Sequence, residues 1–209
     1  MPDESPAQLE RLFAQLAELK RIPRTGWLDR GVPAGETESV ADHSLLTTLI
    51  AWICMTSGPE LDADRVLKLA LVHDLTEAIF GDLPPYDRKD VPVDDPEALR
   101  AFFSVRHLRS PEDTIAKREA ESSAAAEMLA MMPPIAHAQI GSLLAEYEAQ
   151  KTPEAQFVRQ VDRLEAFLQS RAYARDFPDL PFAGFTEMAQ KEIDHPLLVA
   201  IRNARLDRI

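Results

Sequence analysis

Apolar residues recur at helical spacing along most of the chain, and nowhere do they alternate long enough to suggest a sheet. The first run, Pro6 to Lys20, sets Leu9, Leu12, Phe13, Leu16 and Leu19 on one stripe and predicts a helix ending near Ile22-Pro23. A loop with Gly26, Gly31, Pro33 and Gly35 follows. Ser39-Val-Ala-Asp42 fits a capping box, with Asp42 as part of the cap, and opens a second helix. That helix is carried by Leu45, Leu46, Leu49, Ile50, Ile53 and Cys54 as far as Ser57-Gly58-Pro59. A third runs from Asp62 to Phe80 and stops at Gly81-Asp82-Leu83-Pro84-Pro85. From Tyr86 to Pro111 the pattern is irregular; a short helix is expected around Glu97 to Leu108, the remainder as a mobile loop or lid. Helices are then expected over Glu112 to Met131, Ile135 to Ala149, Glu154 to Arg175 and Phe185 to Asp194. The acidic run from Glu112 to Glu127 reads as a solvated face. In the helix from Glu154, Phe157, Val158, Val161, Leu164, Phe167 and Leu168 form the apolar stripe.

This pattern predicts an all-α fold. With no internal repeat and no low-complexity linker, residues 1–209 are expected to form one domain, with a core over about 9–175 and a helical tail over 176–209.

The third helix holds an anomaly. Leu69-Ala-Leu-Val-His-Asp-Leu-Thr-Glu-Ala-Ile-Phe80 is almost wholly apolar, so it is expected to be buried, yet it contains His73, Asp74 and Glu77. Burying an imidazole and two carboxylates is costly unless something compensates, and a divalent metal does so because neutral His and ionised Asp are both good ligands.

Composition narrows the possibilities. A chain of 209 residues that is 45% hydrophobic can bury a core, and a net charge of -12 argues against general binding to nucleic acid polymers. A small anionic substrate remains open, because a metal and one or two arginines can invert the field locally. The single cysteine, Cys54, excludes an intramolecular disulfide and a thiolate-based zinc site. No signal peptide and no apolar stretch of membrane-spanning length are seen, so a soluble, cytoplasmic protein that does not engage a membrane is expected.

Two more candidate ligands sit on helices expected to be buried. His43 shares a face with Leu46, Ile50 and Cys54, and Asp162 borders the stripe beside Val158 and Val161. Alone, His43 would read as a hydrogen-bonded core histidine and Asp162 as a partner of Arg159 or Arg163. Together with His73 and Asp74 they make a mixed N/O set suited to Mn, Co, Fe, Ni or Zn. Four protein ligands leave room for water and a substrate oxygen. His107, His137 and His195 lack a partner at ligand spacing and are expected to face solvent.

The order His43…His73-Asp74…Asp162 resembles the H…HD…D signature of the HD superfamily of metal-dependent phosphohydrolases. The resemblance narrows to the 5'-deoxynucleotidase branch that includes the HD domain-containing protein 2 group. It is carried by Leu19-Lys-Arg-Ile-Pro-Arg-Thr-Gly-Trp27, Glu38-Ser-Val-Ala-Asp-His43, Leu71-Val-His-Asp-Leu-Thr-Glu77, Gly81-Asp-Leu-Pro84 and Phe157-Val-Arg-Gln-Val-Asp162. It implies hydrolysis of deoxyribonucleoside 5'-monophosphates by attack of a metal-bound water, with His43, His73, Asp74 and Asp162 as ligands of one divalent metal. Glu77 and Asp82 would be catalytic, Asp82 also contacting the deoxyribose, with Leu83, Pro84 and Pro85 as the adjacent wall. Arg24 would hold the phosphate and Trp27 would pack near the sugar. Arg24 and Trp27 are separated here, as in the HD domain-containing protein 2 group, whereas other members often have them adjacent. Binuclear members usually carry a second Asp after the HD pair, and here Leu75 follows, which favours one metal. Members are commonly dimeric, so a homodimer is expected, with the first and last helices offering apolar faces. The alternatives are hydrolysis of another nucleotide or small phosphate ester, or a metal-holding sensor without catalysis; Glu77 in turn could merely orient His73.

Overall fold

A computed structural model describes residues 6–55 and 61–206 of the chain. The helix stop expected at Ser57-Gly58-Pro59 lies outside the described residues. The helices are α1 (Pro6–Ala17), α2 (Thr25–Leu28), α3 (Val40–Met55), α4 (Ala63–Val72), α5 (Glu77–Phe80), α6 (Pro96–Phe103), α7 (Pro111–Ala130), α8 (Pro134–Ala149), α9 (Pro153–Asp176), α10 (Ala183–Glu192) and α11 (Pro196–Leu206). Single 3-10 turns occur at Glu18–Lys20 and Arg88–Asp90. No strand occurs among the described residues; an isolated antiparallel bridge joins Pro23 to Ser39. The fold is all-α. No described helix is long and apolar enough to cross a membrane.

Prolines start helices here rather than merely interrupting them. Asp95, Ser110 and Thr152 accept hydrogen bonds from backbone N–H groups of the first turn, each directly before a proline that opens α6, α7 or α9. Proline is tolerated there because its missing N–H would have had no partner inside the helix. Pro96 and Pro111, taken in the sequence as signs of irregularity, are therefore helix starts, and the short helix spans Pro96–Phe103 instead of Glu97 to Leu108. Residues 86–111, expected as a loop or lid around a short helix, are anchored to the rest of the molecule. Val91 and Phe103 are buried, and the Arg30 guanidinium lies 4.0 Å over the Phe103 ring. Arg88 makes a two-pronged contact with Asp29, at 2.7 Å from Nη2 and 3.0 Å from Nε.

The main core lies where α3, α4 and α9 meet, with α10 and α11 closing it. The inward face of α3 is Val40, His43, Thr47, Ala51 and Cys54. Leu46 and Ile53, placed on the core stripe by spacing, are 41% and 67% exposed instead. This helix is apolar on both sides, so spacing cannot choose a face. The small side chains of Thr47 and Ala51 are the ones turned toward the neighbouring helices.

The helix expected from Asp62 to Phe80 is broken between Val72 and Glu77. Its first part is amphipathic rather than apolar all round: Leu71 is 61% exposed, and Lys68 pairs with Asp64 on the surface. Along α9 the predicted stripe holds, with Phe157, Val158, Val161, Leu164 and Phe167 buried. The helix predicted over Phe185 to Asp194 is Ala183–Glu192, and α11 beyond it was not anticipated. Ala189, Ile193 and Leu198 from this end of the chain enter the main core. A second cluster, Leu12, Ala78, Met128 and Met132, joins α1, α5 and α7. Ala124 and Met128 anchor α7, while Glu112, Glu119 and Glu127 of its acidic run are exposed. His137 is exposed as expected, but His107 and His195 are half-buried. His107 stacks on Phe102 at 4.0 Å, and His195 meets Phe157 edge-on at 5.1 Å.

Candidate metal centre and active site

His43 is delivered by the first turn of α3, which the predicted capping box fixes. The Ser39 hydroxyl accepts from the Asp42 N–H at 3.1 Å, and the Asp42 carboxylate accepts from the Ser39 N–H at 2.9 Å. His73 and Asp74 lie in the break after α4. Bonds to the third residue back replace helical ones here, with Leu75 N–H to Val72 O at 3.0 Å and Glu77 N–H to Asp74 O at 3.0 Å. The tighter turn alters the directions in which His73, Asp74 and Glu77 project. His73 Nδ1 bonds to the Ala70 carbonyl at 2.8 Å, using an acceptor freed by the helix end. Asp162 comes from the middle of α9.

The ring nitrogens decide what this cluster can hold. A carbonyl accepts only, so His73 Nδ1 carries the proton and Nε2 keeps its lone pair. His43 Nδ1 is bonded to the Glu165 carboxylate at 2.5 Å, which likewise directs its Nε2 inward. The two Nε2 atoms stand 3.4 Å apart. Asp162 Oδ1 lies 3.2 Å from the His43 Nε2, and Asp74 Oδ2 lies 3.2 Å from the His73 Nε2. Electron pairs thus converge on one point, which is what a cation requires. His43, His73 and Asp162 offer ligand atoms all within 4.8 Å of one another. Asp74 is outside that mutually close set, its Oδ2 accepting from Arg24 Nη1 at 3.0 Å. Without a cation the site draws in a proton: burial and Arg24 oppose it, but Glu165 and Asp162 raise the His43 pKa to about 10. Asp162 is held well below the usual carboxylate range despite its burial, by Arg163 and His43.

Beside the ligands lies a knot of charge. Arg24, just before α2, is 3.0 Å from Asp74, 3.4 Å from Asp82 and 3.8 Å from Glu77. Glu77 is buried, and its Oε2 has no hydrogen-bond partner among the described residues. Burial, then Asp74 and Asp82, push its pKa well above the ordinary value, which favours the protonated form. Asp82 follows Gly81, whose φ of 82° turns the chain sharply out of α5. Its carboxylate accepts from the Thr25 N–H at 2.5 Å, and its carbonyl accepts from the Thr25 hydroxyl at 2.7 Å, tying α2 to the 81–85 segment.

Arg24, His73, Asp74, Glu77, Asp82 and Asp162 border one cavity of about 780 Å³, which Leu83, Pro84 and Pro85 also line, whereas His43 and Glu165 lie behind its wall. Trp27 forms part of its wall but is only 2% exposed. It is stacked on Phe185 at 4.3 Å, and its ring N–H donates to Glu38 at 2.7 Å. Burial and the nearby Glu165 raise the Glu38 pKa to about 7.

The sequence reading therefore named the residues that converge, and it missed the ones behind them. Glu165 is fully buried against His43; the signal was an acid inside the α9 stripe, one turn beyond Asp162. Arg109, in the stretch that gave no motif, donates to the Leu83 and Pro84 carbonyls, the latter at 2.7 Å.

Residues 16–197 match the HD domain family. The chain is 32% identical over 199 residues to mouse (Mus musculus) 5'-deoxynucleotidase HDDC2, covering 94% of this chain and 86% of that protein. It is 32% identical over 184 residues to the fission yeast (Schizosaccharomyces pombe) 5'-deoxynucleotidase hdd1, covering 88% and 81%. Its fold is similar to a crystal structure of a Pyrococcus horikoshii OT3 protein, with a TM-score of 0.68 and 28% identity over 93% of this chain and 96% of that one.

Proposed function

The chain belongs to the HD domain family, and on that premise we propose that it is a metal-dependent phosphomonoesterase hydrolysing deoxyribonucleoside 5'-monophosphates to deoxynucleoside and phosphate. The observation that carries this reading is the convergence of two imidazole nitrogens and two carboxylates beside a buried arginine and a buried glutamate. His43, His73, Asp74 and Asp162 would hold a single divalent ion, with Mn, Co, Fe, Ni and Zn all compatible with the N/O set. When bound, such an ion supplies Lewis acidity and lowers the pKa of water toward neutrality.

The chain's own groups do the rest. The guanidinium of Arg24 offers planar donors that suit a phosphate, and the carboxylates of Asp74 and Asp82 hold it in place until substrate arrives. Glu77 carries the proton that the departing 5'-oxygen needs, and takes one back from the attacking water as the cycle closes. Asp82 fixes the segment 81–85 against α2 and faces the sugar, with Leu83, Pro84 and Pro85 as the wall. Trp27 backs the sugar pocket. A non-catalytic sensor would need neither the unbonded Glu77 nor the Asp82 anchor.

The whole chain, 1–209, is proposed to act as one HD domain in the cytoplasm, as a homodimer. The first helix does leave Phe13 exposed, but the broader face for a second copy is the outer side of α3, with Leu45, Leu49 and Trp52 exposed.

The test is phosphate release from dAMP, dGMP, dCMP and dTMP against the four ribonucleotides, with Mn or Co restored after chelation. Metal-dependent release from the deoxynucleotides, exceeding that from the ribonucleotides, is expected. Absence of release from every deoxynucleotide would refute the reading.

A further inference from the structure

One helix grips His43 from both sides. Asp162 Oδ1 lies 3.2 Å from its Nε2, and Glu165 Oε2 lies 2.5 Å from its Nδ1. The two acids are three residues apart on α9, so a single turn supplies both. Glu165 is fully buried, and its second oxygen, Oε1, has no hydrogen-bond partner among the described residues. A carboxylate in that state burdens the fold, where an apolar side chain would pack as well. Its retention needs another explanation. His73 has no equivalent, since behind it stands the neutral carbonyl of Ala70 at 2.8 Å. The two imidazoles are thus backed unequally, one by an anion and one by a dipole.

We propose that Glu165 is a positioning residue of the metal site: it fixes His43 as the Nδ1–H tautomer, aims Nε2 at the cation and makes His43 the more basic imidazole donor. This rests on the reading of His43 as a metal ligand. Glu165 stands on the Nδ1 side of the ring, opposite the Nε2 that faces His73 and Asp162, and acts through the ring. Because the same turn of α9 carries Asp162, any shift of that turn moves a ligand and the support of another ligand together.

The test uses the whole protein with Co(II) as the probe, read by its visible absorption and by competition with a chromophoric chelator. E165Q keeps the size of the side chain and removes its charge. Its Co(II) affinity is expected to fall about ten- to hundredfold, with an altered spectrum, while helix content in chelator stays at the wild-type level. For dAMP, kcat is expected to change more than KM. Wild-type affinity together with a wild-type spectrum in E165Q overturns the proposal. Should E165Q lose its helix content, E165D replaces it: its carboxylate is drawn back from Nδ1, so weakened Co(II) binding supports the proposal and unchanged binding overturns it. If the wild-type protein itself fails to bind Co(II), the metal-site reading and this proposal fall together. If the wild type binds and the variants bind equally, only the role of Glu165 falls.

Discussion

A carboxyl group walled in by two other carboxylates, with one oxygen unbonded, cannot ionise cheaply, and Glu77 is in that position. Arg24, at 3.8 Å, is too far for a hydrogen bond and is shared with Asp74 and Asp82. Glu77 is therefore biased toward its protonated form, the form that can give a proton to a leaving oxygen. Glu77→Gln preserves the shape but cannot transfer a proton, so kcat for dAMP is expected to drop by about 10²–10⁴-fold, with Co(II) affinity unchanged. Steady-state kinetics and chelator competition check this together. Unchanged kcat would remove Glu77 from the chemistry, and lost metal affinity would make it a support for His73 instead. This residue was legible in the sequence because an acid inside an apolar segment demands an explanation. Glu165 makes the same demand, standing among Leu164, Ala166 and Phe167, but belongs to no motif, so its role is read from its contact with His43.

At the scale of elements, the break between α4 and α5 is what turns a helix into a site. Spacing predicted one continuous helix, because nothing in Leu69–Phe80 is a helix breaker. The interruption comes from tertiary demands: side chains at 73, 74 and 77 find partners on α3 and the segment before α2, and short-range turn bonds replace the helical ones. The longer helices were readable from their stripes, but the acid or hydroxyl before Pro96, Pro111 and Pro153 was not read as the helix start that it is. The inward face of α3 was not, because both of its faces are apolar. A second element-scale device is the approach of α10 to the end of α6. A side chain at Gly184 would meet the Val105 carbonyl at 2.7 Å and the Phe103 carbonyl at 3.1 Å. Backbone cannot yield as a flexible side chain can. Gly184→Ala is expected to lower stability by about 1–3 kcal/mol in urea unfolding. It should also raise KM for the nucleotide, since residues 105–109 line the cavity. Wild-type stability and KM would contradict this packing.

Taken as a whole, the molecule is acidic, with a net charge of -12, and its general field repels a nucleotide. Attraction has to be local, and the cavity provides it through Arg24 and Arg109, with a metal adding the strongest local charge. Arg109 reaches the cavity from the 86–111 stretch, which carried no recognisable motif. Its guanidinium donates to two backbone carbonyls, and the Glu121 and Asp82 carboxylates attract it from nearby. Leu75, directly after the His73-Asp74 pair, supplies no further carboxylate for a second ion. The most direct measurement is a metal titration of the chelated protein, following phosphate release from dAMP as Mn or Co is added. Release should rise from near zero and level off at about one ion per chain. Activity that is indifferent to the metal, or that appears only as a second ion binds, would contradict the account.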